Sequence, residues 1–177
     1  MKSVLMSIRK PIADTIFNSW TKRLEYRTRW NKDFKGRVYV YESGKDGGKV
    51  AGFFDVGGCI HAHRDNAVNA DDWVILDRLD QKNFDEFWTI KAHATPSVYA
   101  IEITNVHRFT RKLSLSEFCH CMLIDQLNRP PQSWQYIEYA EFEVLFFEMN
   151  SDKVEFTAPP EGKSETEKFM TEVKHDR

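Results

Sequence analysis

The sequence predicts an α+β fold: a mixed, mostly antiparallel β-barrel flanked by short helices. Three observations carry that expectation. Segments rich in Val, Ile, Tyr and Phe outnumber segments with helical spacing, and β-branched and aromatic side chains fit a pleated sheet. Most connections between those segments are short, which suits antiparallel neighbours. Hydrophobic residues make up 41% and aromatics 14% of the 177 residues, enough apolar material for a domain-sized core.

Taken in order, Lys2 to Ile8 alternates as a first strand, with Val4 and Met6 opposed to Leu5 and Ser7. Pro11 opens a helix, where its missing N–H is no loss, and Ile12, Ile16, Phe17 and Trp20 follow at helical spacing. Leu24 and Tyr26 then alternate with Glu25 and Arg27, the period of a strand carrying an acid and a base on one face. Arg29 to Gly36 is a basic loop. Arg37–Ser43 and Lys49–Val56 read as a hairpin turning at Gly44, Gly47 and Gly48; Gly57 and Gly58 bend its far end, and Cys59–His63 extend the pairing. Asn69 caps a helix with Asp71 and Asp72 in its first turn and Trp73, Leu76 and Leu79 on its apolar side. A second helix spans Asn83 to Ala92, with Phe84, Phe87 and Trp88 inward. Pro96 ends that unit and Val98–Phe109 returns as a long strand. Ser114 and Ser116 cap a turn or short helix, and Pro130-Pro131 fix a turn before Trp134. Glu141–Met149 and Lys153–Phe156 suggest a final hairpin. The domain runs over 1–157, and the polar stretch 158–177 reads as a mobile tail.

Charge is uneven. The formal net charge is −2, yet Arg9 to Arg37 holds nine Lys or Arg against three acids. A basic cluster on an otherwise acidic chain steers a phosphate-bearing partner to one face, although a solvated helix end produces such clusters too. Apolar runs are too short for a transmembrane helix and the N-terminus lacks a signal-peptide core, so a cytoplasmic protein with no membrane partner is expected. Three cysteines argue against a disulfide framework.

Several short motifs in a fixed order resemble the ASCH domain, a member of the PUA-like group. They are Ser7-Ile8, Pro11, an apolar helix, then Lys22-x-x-Glu25-x-Arg27, followed by Val38–Ser43, Lys49–Gly52 and Arg129-Pro-Pro-Gln-Ser-Trp134. The resemblance is strongest over 3–136. It departs from the family pattern in one extra residue between Ile8 and Pro11 and in Trp20, which stands where a Gly is usual. The resemblance implies a PUA-like barrel with a cleft beside Lys22, Glu25 and Arg27, and Ser7 and Lys10 near its rim.

That residue set suits a nucleotide or a modified base. Arg27 offers a planar fork, Lys22 and Lys10 are compact cations, and Glu25 either orients Arg27 or accepts from an exocyclic amine. Arg29 adds charge, while Trp30, Tyr39 or Tyr41 can stack on an unpaired base; a core position is the ordinary place for such aromatics. The expected partner is RNA or a nucleotide-like ligand, with no cofactor. A competing class follows from the resemblance. Small bacterial relatives are amidohydrolases acting on N4-acetylcytidine with a Lys, a Thr and a Glu. Here Lys22 matches, but Glu25 stands at the Thr position, with Thr21 and Thr28 displaced from it. Glu25 would then act as base and Lys22 as oxyanion stabiliser, and Asp71, Asp72 or Asp77 would supply the acid. A zinc site from Cys59, His61 and His63, or from Cys119-His120-Cys121, has suitable donors without a standard spacing. A protein-interaction module using the tail is a third reading.

Overall fold

The computed structural model describes residues 2–124, 127–138 and 147–155. Its strands are β1 (Lys2–Arg9), β2 (Leu24–Arg27), β3 (Arg37–Ser43), β4 (Lys49–His63), β5 (Ser97–Ser114), β6 (Trp134–Glu138) and β7 (Ser151–Lys153). Its helices are α1 (Lys10–Phe17), α2 (Ala70–Leu76), α3 (Gln81–Ala92) and α4 (Leu115–Cys121). Hydrogen bonds order the strands β2-β5-β4-β3-β1-β6, with β7 on β5. Only β1 with β3 is described as a parallel pair; β1–β6, β2–β5, β3–β4 and β5–β7 are antiparallel. The fold is thus α+β on a mixed, mainly antiparallel sheet. Among the described residues this path ends at β2 and β6, with no pairing between them that closes a ring. No described helix is long and apolar enough to cross a membrane.

The chain divides into two compact units, each discontinuous in sequence. One comprises Met1–Lys22, Phe34–Gly57 and Ile103–Phe156; the described part of the other comprises Arg23–Asp33 and Gly58–Glu102.

In the first unit, Leu5, Tyr39, Val50, Phe53, Phe109, Phe118 and Phe147 form the core. Tyr39 sits at its centre, its ring meeting those of Phe53, Phe118 and Phe147 at 5.1–5.8 Å between centroids. β1 is buried on both faces from Ser3 to Ile8, and it pairs with β3 along one edge and β6 along the other. α1 starts one residue before Pro11 and stops at Phe17, and its buried stripe is Ala13, Ile16 and Phe17, while Ile12 in the first turn is exposed. Trp20 lies beyond the helix with φ at 43°, in the left-handed region that glycine enters without steric cost.

A polar knot fastens the edge of this unit. The Arg37 side chain is 10% exposed; its Nε donates to Asp55 Oδ1 (3.0 Å) and its Nη2 to Glu148 Oε1 (2.9 Å). Asn105, at φ 45°, donates through Nδ2 to Asp55 Oδ2 (2.7 Å). Burial acts to lower the Arg37 pKa, but the bonds to Asp55 and Glu148 outweigh it and the net shift is upward. The final hairpin needs correction: residues 147–149 are helical and β7 pairs with His107–Phe109 of β5. The remainder of that segment and the proposed tail lie outside the described residues. Gly57 and Gly58 do not interrupt β4, which runs unbroken to His63; the register shift lies instead between Val40 and Tyr41.

α4 carries a complete capping box. Glu117 N–H donates to Ser114 Oγ, Ser114 N–H donates to Glu117 Oε2, and Arg111 Nη1 donates to Glu117 Oε1 at 2.7 Å. Arg111 and then Ser114 pull the Glu117 pKa from 4.5 down to about 2. A folded value below the unfolded one means the carboxylate stabilises the fold fully above about 4.5 and loses that contribution as pH falls toward about 2. Thermal unfolding of Glu117→Gln should therefore approach that of the native chain on acidification through this window. A stability gap that stays constant would contradict the assignment.

Candidate functional site

The second unit is organised by the alternation of β2. Its register on β5 sets Leu24 opposite Glu102, Glu25 opposite Ile101, Tyr26 opposite Ala100 and Arg27 opposite Tyr99. Directly opposed residues share a face, so Glu25, Arg27, Tyr99 and Ile101 lie on one side of this sheet and Leu24, Tyr26, Ala100 and Glu102 on the other.

The Leu24 side is closed by helices. Leu24, Ile60, Ala62 and Ala100 pack with Ile75 and Leu76 of α2 and Phe84 and Phe87 of α3. Trp73, Leu79 and Trp88 are partly buried against this cluster. α3 begins at Gln81, earlier than the sequence suggests, because Asp80 caps it by accepting from Asn83 N–H. Asn83 Oδ1 in turn accepts from Arg23 N–H at 2.7 Å, tying the entry to β2 onto the helix. Glu102 is buried here and receives Arg78 Nη2 at 3.2 Å. Burial lowers the Arg23 pKa, against the pull of Glu102 and Asp80. Burial, reinforced by Glu86 and Glu25, drives the Tyr26 phenol far above its usual value, so it stays protonated.

The Glu25 side holds charged and aromatic side chains. Glu25 is 5% exposed, and Arg27 Nη2 approaches its Oε1 at 2.9 Å, the Arg27 side chain being 18% exposed. In a pair this dry, the attraction between the partners offsets part of the cost of removing them from water. Across the same face, Tyr99 and His61 stack at 4.3 Å with 6° between ring planes, and His63 lies 4.7 Å from His61. Burial, then His63 and Lys32, lower the His61 pKa while Asp72 opposes them, so the ring is neutral near pH 7. The Cys59, His61 and His63 alternation is as the sequence suggests, one face with a partly exposed residue at each step. His63 Nδ1 lies 3.1 Å from the Pro96 carbonyl and Cys59 Sγ donates weakly to the Ile60 carbonyl. Among the described residues no group of three His, Cys, Asp or Glu is placed to hold a metal. Cys119 and Cys121 belong to α4, with Cys119 buried.

The other predicted residues divide between the units. In the second, Trp30 is 7% exposed and therefore a buried ring, while Arg29, Asp71 and Asp77 are exposed. Asp72 is half-buried, and burial raises its pKa. In the first, Ser7 is buried, its hydroxyl donating to the Pro131 carbonyl at 2.6 Å and its N–H to the Ser133 carbonyl at 2.8 Å. Two of the resembling motifs thus meet at one pair of hydrogen bonds. Lys10 Nζ bonds Asp14 at 2.7 Å, one helical turn on, and that bond raises its pKa. Tyr41 packs partly buried against the core, beside a buried Glu42 that Lys112 reaches at 2.6 Å. Lys22 is partly exposed, its N–H held at 3.4 Å from the Thr15 carbonyl. The Tyr99–His61 stack escaped the sequence reading because it joins strands 38 residues apart; the only local signal was the alternating histidines.

Comparison with solved structures returns the ASCH protein of Zymomonas mobilis. That protein aligns with a TM-score of 0.55 at 16% identity, covering 86% of this chain and 98% of its own. A Tyr-to-Phe variant of it gives 0.56 at 16% identity, covering 86% and 100%. A Ser-to-Ala variant gives 0.55 at 15%, covering 85% and 96%. The chain therefore has an ASCH-like fold. No family model matches the sequence, and no curated protein matches it at a significant level.

The dryness of the ion pair alters the outcome expected of truncation. Arg27→Ala leaves Glu25 without its guanidinium neighbour and should destabilise the protein by about 3–5 kcal/mol, so loss of function alone cannot be read from it. Arg27→Lys keeps the charge and should cost much less. Chemical denaturation of the native chain and the two variants checks this; equal midpoints for all three would show that the pair carries no stability.

Proposed function

We propose that the chain binds RNA or a nucleotide-like ligand, recognising an unpaired or modified base and its phosphate, in RNA-linked regulation in the cytoplasm. The observation that carries this reading is Glu25 held nearly dry against Arg27 on the strand face turned away from α2 and α3, two residues before the exposed, basic Arg29. A guanidinium fixed by a neighbouring carboxylate is pre-organised, so little side-chain freedom is lost when it meets a phosphate or base edge. Trp30 contributes by packing rather than by stacking on ligand.

Fluorescence anisotropy with labelled RNA in a salt series tests the reading. Affinity should fall steeply as salt rises, because phosphate contacts release counterions. Arg27→Lys should weaken binding about tenfold, equivalent to about 1.4 kcal/mol, with the fold kept. Salt-independent or absent binding would refute the proposal. Turnover of N4-acetylcytidine that disappears in Lys22→Ala would replace it with the hydrolytic reading, in which Glu25 activates water and Lys22 steadies the oxyanion.

A further inference from the structure

We infer that His107 is a proton-sensitive clasp, which holds β7 on β5 while its imidazole is neutral and loosens it when the ring is charged. The clasp lies within the first unit and is independent of the nucleotide-binding reading. β7 offers few other side-chain anchors: Ser151 is half-buried, and Asp152 and Lys153 are exposed. Its backbone pairs with His107–Phe109. Beyond the two ends of that pairing, Thr110 N–H donates to the Asn150 carbonyl at 3.1 Å and Val154 N–H to the Val106 carbonyl at 2.8 Å. A three-residue strand with so little apolar burial sits at the low end of local stability, so the one buried side-chain contact it makes contributes a large share of its hold.

Both ring nitrogens are engaged. Nε2 lies 3.3 Å from Asn105 Oδ1, and Nδ1 lies 3.1 Å from Ser151 Oγ. Asn105 turns its amide nitrogen to Asp55 Oδ2, so its oxygen faces the ring, and an amide oxygen can only accept. The neutral ring therefore carries its proton on Nε2 and accepts the Ser151 hydroxyl on Nδ1. Ser151 Oγ also lies 3.2 Å from the Glu148 carbonyl, a second acceptor for the same hydroxyl proton. A proton added at Nδ1 reverses the contact: the ring donates there, and the hydroxyl turns to Glu148.

The charge so added is poorly placed. The imidazole stacks on Phe53 at 4.7 Å and 10°, and the Arg37 guanidinium of β3 lies 3.8 Å over that same Phe53 ring. Lys153 stands opposite His107 in the register of β7. Both cations repel an imidazolium. Asp55 of β4 and Glu148, just ahead of β7, attract it, but each already holds Arg37. Burial first, then Arg37 and Lys153, hold the His107 pKa below its ordinary 6.5 against the pull of Glu148 and Asp55. A folded value below the unfolded one means the clasp contributes in full above about 6.5 and is lost as pH falls through the folded value. The loss falls on β7, because Ser151 and Lys153 are the groups that face the ring from that strand.

Hydrogen exchange of the full chain at about pH 7.5 and about pH 5 tests the clasp, with rates expressed as protection factors to remove the intrinsic pH dependence of exchange. Protection of the amides of residues 151–154 should fall about tenfold at the acid end. His107→Gln keeps a donor and an acceptor but does not titrate in this range, and it should remove most of that fall. NMR of the native chain follows the ring itself, which should titrate below 6.5. Equal protection of these amides at the two pH values in the native chain would overturn the clasp. So would a His107 midpoint above 6.5, or a fall that persists undiminished in His107→Gln.

Discussion

Glu25 and Arg27 neutralise one another on a strand face from which most water has been removed, and much of the second unit is arranged around keeping them so. β2 is only four residues long. Its alternation sends Leu24 into the helix layer and Glu25 to the opposite side, so a shift of one residue would bury the ion pair under α2 and α3 and expose the leucine. Register is therefore held from both faces at once. Leu24 supplies the hydrophobic anchor, and the Arg23 N–H on Asn83 fixes where the strand begins. The acid–base pair is the reason the wrong register would be costly.

The first unit solves the same problem with different chemistry. Its aromatic core around Tyr39 sets the sheet in place, while Arg37 gathers Asp55 and Glu148 and lies 3.8 Å over the Phe53 ring. A guanidinium can do this where an ammonium cannot, because its flat face stacks while its edge donates. Pro130 and Pro131 have no N–H to offer the sheet, but the Pro131 carbonyl accepts from the Ser7 hydroxyl. The motif residues Ser7 and Pro131 thus have a structural reason to coexist, independent of any ligand.

What was legible in the sequence follows from how local each signal is. The shared face of Glu25 and Arg27, the cap at Ser114, the inward Phe84 and Phe87, and the alternating Cys59, His61 and His63 all depend on periods of two or three to four residues. The sequence also carried an order of motifs sufficient to anticipate an ASCH-like fold. What it hid depends on pairing between distant segments. The burial of Trp30, in a loop whose composition is basic and polar, comes from tertiary packing. The Arg37 knot joins residues 18 and 111 positions apart, and Tyr99 gains its meaning only opposite Arg27. Trp20 is the converse case, a local backbone requirement visible in the structure that the residue type itself conceals.

Photocrosslinking of a bound single-stranded RNA, read out by identification of the modified peptides, bears most directly on the claim that the Glu25–Arg27 side of the sheet is the ligand face. The account predicts adducts on Tyr99 and on the peptide containing Arg27 and Arg29, with the helix-covered side unmodified. Adducts confined to α2 and α3, on the opposite side, would contradict it.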